Sequence, residues 1–162
     1  MILREATVVD IPFVMCVERL PGYEFMIGQW DAETHAEELL REGSRYLIAE
    51  EEGAPVAFAI LQTLDDRHGG VYLNRFAVTK QGAGIGTRAL ALVQDWVFAR
   101  PLSHRLHLHF SEENAIGRRL YARAGFREEG VERQVYLRPG GGRVDTFRVS
   151  ILRPEWEKLR GM

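Results

Sequence analysis

Apolar and polar positions change period several times along the chain, and each change marks an element. Residues 2–7 read as a short strand. Asp10 then caps a helix running to about Leu20, with Pro12 tolerated in its first turn and Pro21-Gly22 ending it. The stretch from Tyr23 to Trp30 is aromatic and lacks a period. A second helix runs from Asp31 or Thr34 to about Arg41, where Thr34 and Glu37 have capping-box spacing. Period-two runs follow at 45–50, 55–64 and 71–78, separated by the turns Glu52-Gly53 and 65–70, and predict three consecutive antiparallel strands. From Gly84 to about Ala99 the period lengthens again: Leu90, Val93, Trp96 and Val97 share one face of a helix. The strand 105–110 sets Leu106, Leu108 and Phe110 on one face and Arg105, His107 and His109 on the other. A helix from Glu112 to Ala124 stops at Gly125. Strands at roughly 131–138 and 143–152, joined by Pro139-Gly140-Gly141-Gly142, precede a short tail from Pro154. This order has no internal repeat or linker, and predicts a single α+β domain over residues 1–162.

Composition narrows the function classes. The 162 residues carry a formal charge of −2, without the basic excess that general nucleic-acid binding needs. The balance is uneven: residues 1–99 hold 8 basic and 15 acidic side chains, and residues 100–162 hold 13 and 8. An anionic ligand near the second half and a cationic one near the first fit that division. The single cysteine, Cys16, excludes an intramolecular disulfide and a Cys-rich zinc site. No apolar run approaches the roughly 20 residues of a membrane span, and Met1-Ile2-Leu3-Arg4-Glu5 lacks the regions of a signal peptide. The expectation is a cytoplasmic protein with no metal, no nucleic acid and no membrane among its partners.

Candidate chemistry concentrates in Gln81-Gly82-Ala83-Gly84-Ile85-Gly86-Thr87, between a strand and a helix. Three glycines in five residues let the backbone turn tightly and approach a ligand, and their N–H groups with the helix N-terminus form an anion site suited to phosphate. A P-loop needs Gly-Lys-Ser/Thr, whereas Thr87-Arg88 follows Gly86. The dinucleotide fingerprint needs its third glycine one place later and an acidic residue ending the next strand, where His109-Phe110 stands.

The loop instead matches Q/R-x-x-G-x-G/A through Gln81, Gly84 and Gly86, and a second motif follows at Asn114, Leu120-Tyr121 and Gly125-Phe126. These motifs, in this order of elements, resemble the GNAT superfamily of acyl-CoA N-acyltransferases over essentially the whole chain. The resemblance implies a central mixed, mostly antiparallel sheet of about seven strands flanked by four helices. It also implies that acetyl-CoA is the co-substrate, with its pyrophosphate on residues 81–87 and its pantetheine arm along the main chain of Phe76, Ala77 and Val78. Asn114 matches the family's contact to that arm, and Arg88 and Arg119, more weakly Arg118 and Arg123, are candidates for its phosphates. Tyr121 matches the tyrosine that often protonates the departing CoA sulfur. The usual glutamate before the loop aligns with Tyr72. The ribosomal-protein branch places a glutamate five residues before its helix-start asparagine, and the same count from Asn114 reaches His109. A histidine side chain suits proton acceptance near neutral pH, so the expected catalytic pair is Tyr121 and His109.

The implied reaction is direct transfer of an acetyl group to a primary amine, such as a protein N-terminus, a polyamine or another small amine, without an intermediate on Cys16. The first two helices and the last hairpin shape the acceptor pocket in this family. Among the residues there, Glu24 and Trp30 are the acceptor candidates, a carboxylate and an aromatic face suited to a cationic amine. The surroundings of Trp30 and His35, and the chain ending near Trp156, look most like the ribosomal-protein and polyamine branches. A non-catalytic acyl-CoA-binding sensor or interaction module stays open, because it needs the loop but neither Tyr121 nor a base. The long C-terminal strands offer an edge to a second subunit, and a homodimer is expected on the pattern of some relatives.

Overall fold

The computed structural model describes residues 1–138 and 140–162; Pro139, placed in the last turn above, lies outside them. Its strands are β1 (Ile2–Glu5), β2 (Arg45–Glu51), β3 (Ala54–Gln62), β4 (Gly70–Val78), β5 (Arg105–Ser111), β6 (Arg127–Leu137) and β7 (Arg143–Leu152). The α-helices are α1 (Ile11–Glu18), α2 (Ala32–Leu40), α3 (Ile85–Phe98), α4 (Ala115–Arg123) and α5 (Arg153–Leu159), with a 3-10 turn at Val8–Asp10. The strands form one sheet in the order β1-β2-β3-β4-β5-β7-β6, antiparallel except for β4 beside β5. This is the expected α+β architecture with its seven-stranded mixed sheet.

Three local readings are corrected. Five α-helices flank the sheet among the described residues, not four: the presumed tail is α5. A seven-residue segment is too short to show a period, and its stability comes from packing. Trp156 lies on Phe98 with ring centroids 5.2 Å apart and donates to Asp95 at 2.8 Å, while Arg153 donates to the Phe98, Arg100 and Ser103 carbonyls. Strand β6 starts at Arg127 rather than 131, because it is an edge strand whose first residues are polar and exposed, so no alternation announces it. Helix α4 starts after Asn114 rather than at Glu112; the Asn114 side chain accepts from the Gly117 N–H at 2.7 Å.

Buried side chains collect on both faces of the sheet. One core holds Leu61, Leu73, Leu106, Leu108 and Ile151 beneath Leu90, Val93 and Val97 of α3 and Tyr121 of α4. The other holds Tyr46, Ile48, Phe58 and Ile60 with Val14 and Val17 of α1. Two features of β4 position the site. It pairs with β5 only at Gly70, Val71 and Tyr72, so the two strands part beyond Tyr72. It also carries a bulge: Leu73 faces Leu61 and Arg75 faces Ile60, leaving Asn74 as an extra residue. The bulge inverts the alternation. Val71 and Leu73 therefore join the α3 core, while Arg75 and Ala77 turn toward α1. No helix among the described residues is long and apolar enough to cross a membrane.

Candidate active site

Where β4 leaves β5, its backbone has lost one neighbour. Thr79 N–H bonds the Val56 carbonyl of β3 at 2.8 Å and Ala77 faces Phe58, so the alternation of the ladder directs the Val78 N–H and C=O to the open side. The Tyr23 hydroxyl meets both groups: Val78 N–H donates to it at 3.0 Å, and it donates to the Val78 carbonyl at 3.1 Å.

Below this edge the chain turns through Gly82 (φ 78°) and Gly84 (φ 73°), left-handed conformations that glycine adopts without a Cβ penalty, and Gly84 caps α3. A Cβ at Gly86 would stand 3.5 Å from Leu120, an ordinary packing distance, so α3 meets α4 there without a clash. The result is a cleft of about 420 Å³ between the splayed strand, the loop and α4. Phe76, Ala77, Val78, Gln81, Gly82, Gly84, Gly86, Thr87, Asn114, Arg119 and Tyr121 all line it. Ala83 and Ile85 do not; Ile85 is buried beneath the loop with Val78 and Ala89. Arg88 donates to Glu51 at 2.7 Å instead of lining the cleft, and Arg118 pairs with Glu128. The basic side chains that do line it are Lys80, Arg119 and Arg123. The loop amides, the α3 N-terminus and these three cations fit a pyrophosphate, and the Val78 edge fits an amide-bearing arm.

Tyr121 is 8% exposed, with its ring 5.4 Å from Phe110 and 5.7 Å from Phe126. Burial pushes its phenol above the ordinary 10, so it keeps its proton at neutral pH and can act as a donor. The cleft narrows past Tyr121 into a pocket of about 50 Å³ that also meets Asn74, Arg75, His109 and Phe110. His109 Nδ1 lies against Glu132 Oε2, a buried oxygen with no hydrogen bond among the described residues, and the other Glu132 oxygen accepts from Arg148 at 2.5 Å. Tyr72 stacks on His107 with centroids 5.3 Å apart and meets His109 edge-on at 5.5 Å.

The acceptor candidates fall elsewhere. Glu24 is exposed and accepts from the Gly22 N–H at 2.8 Å. Trp30 covers Arg75, whose guanidinium carbon lies 3.6 Å from the ring centroid. Neither lines the cleft or the pocket. Tyr23, Lys80, Arg75, Glu18 and Glu132 are the site residues that motif reading did not find. Arg75 Nη1 donates to fully buried Glu18 at 2.5 Å; Glu18 meets His35 at 3.1 Å, and His35 meets the Tyr46 hydroxyl at 2.9 Å. The bulge conceals this chain of contacts, because strict alternation assigns Arg75 to the other face. A buried Glu18 on the apolar face of α1 was the one available signal, since a charge there requires a partner.

A family model described as Acetyltransferase (GNAT) family matches residues 15–126, more than half of the chain. The chain belongs to the GNAT acetyltransferase family. Solved structures repeat the architecture. The spermidine N-acetyltransferase from Vibrio cholerae in complex with CoA and spermine has a TM-score of 0.83 at 18% identity, covering 96% of each chain. A chimera of that enzyme with hSSAT gives 0.85 at 21% identity, covering 96% of each chain. The ribosomal-protein-S18-alanine N-acetyltransferase from Escherichia coli gives 0.76 at 24%, covering 93% of this chain and 92% of that one. The GNAT family uses acetyl-CoA, and its motifs in this member coincide with the splayed strand, the glycine loop and α4.

Proposed function

We propose that this GNAT protein is an acetyl-CoA-dependent N-acetyltransferase that moves an acetyl group directly to a primary amine. The observation that carries the reading is one cleft in which a splayed strand edge at Val78, covered only by the Tyr23 hydroxyl, a left-handed glycine loop at a helix N-terminus and a buried phenol at Tyr121 converge. The structural neighbours are named for amine acceptors, spermidine in one and an alanine of a ribosomal protein in the other, which supports an amine here.

Acetyl-CoA, when bound, supplies the acetyl group as a thioester. Gln81, Gly82, Gly84, Gly86 and Thr87, with Lys80, Arg119 and Arg123, hold its phosphates, and Phe76 to Val78 hold its arm. The Val78 N–H stabilises negative charge developing on the carbonyl oxygen, an oxyanion-hole role. His109, oriented by Glu132, takes a proton from the attacking amine, and Tyr121 gives one to the departing sulfur. One N–C bond forms, one C–S bond breaks, and the two protons balance.

Thermal unfolding with acetyl-CoA, NAD and ATP tests the ligand. At about 100 times its dissociation constant, acetyl-CoA stabilises by about 2.7 kcal/mol, and the two nucleotides leave the midpoint in place. Tyr121→Phe lowers kcat about 100-fold or more while acetyl-CoA affinity holds. Binding without turnover of any amine would instead favour a sensor module, and turnover unaffected by Tyr121→Phe would assign the proton to a different acid.

A further inference from the structure

The pocket past Tyr121 is where an acceptor must sit, and its charge differs from what a polycation needs. Among its described lining residues are Asn74, Arg75, His109 and Asn114, set among Tyr23, Phe76 and Phe110, and no Asp or Glu. The two carboxylates behind it, Glu18 and Glu132, do not line it. Glu18 is shared by Arg75 at 2.5 Å, Arg19 at 3.7 Å and His35 at 3.1 Å. Glu132 is shared by His109 and Arg148. Of the Glu18 partners only Arg75 lines the pocket; Arg19 is partly exposed and donates to the Met15 and Trp30 carbonyls. A second ammonium placed there meets like charge in a poorly solvated site, which is unfavourable.

Arg75 is built as a receptor. It is 6% exposed, its guanidinium plane is fixed against Trp30, and Glu18 accepts from Nη1. Its Nη2 runs past Gly28, where a Cβ would stand 2.7 Å away. Gly28 lacks the positive φ that explains other glycines of the chain, so the room left for the Arg75 fork is the reason for glycine there. A fixed planar fork with donors to spare suits a carboxylate, which it binds through two parallel charge-assisted hydrogen bonds. The pocket volume, about 50 Å³, holds only a small head group.

We propose that the acceptor is a compact primary amine bearing a carboxylate, an α-amino acid or a close analogue, with the carboxylate on Arg75 and the amine between His109 and the Val78 edge. This rests on the acetyltransferase reading. The acetyl group passes to the amine nitrogen as the C–S bond breaks, the amine's proton leaves to His109, the thiolate takes one from Tyr121, and the product is an N-acetylated acid. Spermidine, with several ammonium groups and no carboxylate, meets Arg75 there and finds no Asp or Glu lining the pocket.

The test compares glycine, L-alanine and L-phenylalanine with their carboxamides and with spermidine, measuring CoA release and, by calorimetry without acetyl-CoA, binding of each amine. Carboxamides present more neutral amine at neutral pH, so any preference for the acids comes from the site. The expected result is that at least one acid is used 100-fold more efficiently in kcat/KM than its amide and than spermidine, and binds where its amide does not. Arg75→Gln removes the preference by lowering kcat/KM far more for the acid than for the amide. Because Arg75 also supports Glu18, Gly28→Ala is the second variant: it crowds Nη2 without removing a charge and raises KM for the acid more than it lowers kcat. Amides or spermidine used as well as the acids, or no acid bound, would overturn the proposal. A protein that acetyl-CoA fails to stabilise would overturn the acetyltransferase reading itself, a separate outcome of the thermal measurement.

Discussion

A single hydroxyl occupies both backbone groups that the splayed strand offers. Tyr23 accepts from the Val78 N–H and donates to its carbonyl, so an acyl-CoA arm pairing there must displace it. Tyr23→Phe removes that competitor while keeping the ring. Acetyl-CoA is expected to bind about fivefold more tightly, about 1 kcal/mol, with a similar loss in unliganded stability from the missing hydrogen bonds. Titration calorimetry decides: equal or weaker binding by the variant means the hydroxyl does not stand in the arm's place. Tyr121, by contrast, was marked by its motif. Its neighbours Phe110 and Phe126 were also within reach of pattern reading, because they stand on the strand and the turn flanking its own helix. Tyr23 carried no such mark, since its partner lies 55 residues away.

At the scale of an element, the turn into α3 is where sequence and geometry agree most closely. Gly84 has φ 73° and caps the helix, and an added Cβ meets only the flexible end of Arg88 at 3.2 Å. The cost of Gly84→Ala is therefore backbone strain, about 1–2 kcal/mol, or roughly 2–4 °C in Tm for each kcal/mol in a chain of this size. Acetyl-CoA affinity falls as well, because the loop amides lose their aim. A Tm matching that of the unmodified protein would show that the turn relaxes to another conformation. This element was legible because its signals are local: glycines, a helix start and a helical period within a few residues. The bulge in β4 was not. Nothing between Tyr72 and Arg75 announces an extra residue, and the inversion it imposes moved Arg75 to the α1 face.

For the whole molecule, two groups on the sheet shape the response to acid. Burial, and then the nearby Arg105, His109 and Arg148 charges, push His107 down from 6.5 to about 4, and its Nδ1 is buried without a hydrogen-bond partner among the described residues. Between those values the unfolded chain holds more protons than the folded one, so stability falls as pH drops from 6.5 to about 4. Hydrogen bonds from Arg105 hold Glu129 at about 2 against an ordinary 4.5, so its contribution is present above 4.5 and is lost as pH falls toward 2. His107→Gln should flatten the profile of denaturation midpoint against pH from 6.5 to 4.5 and leave the steeper acid limb intact. An unaltered slope in that window would assign it to other groups. The sequence by itself determined the order of strands and helices, the glycine loop and the Asn114–Tyr121 motif, because hydrophobic period, capping and turn chemistry act over a few residues. Only the tertiary structure decided that α5 is a helix, that Tyr23 covers Val78, that Glu132 backs His109, and that Arg75 reaches Glu18 across 57 residues. Those contacts depend on where a strand splays and bulges, and a buried charge finds its partner through packing in space, which spacing along the chain does not encode.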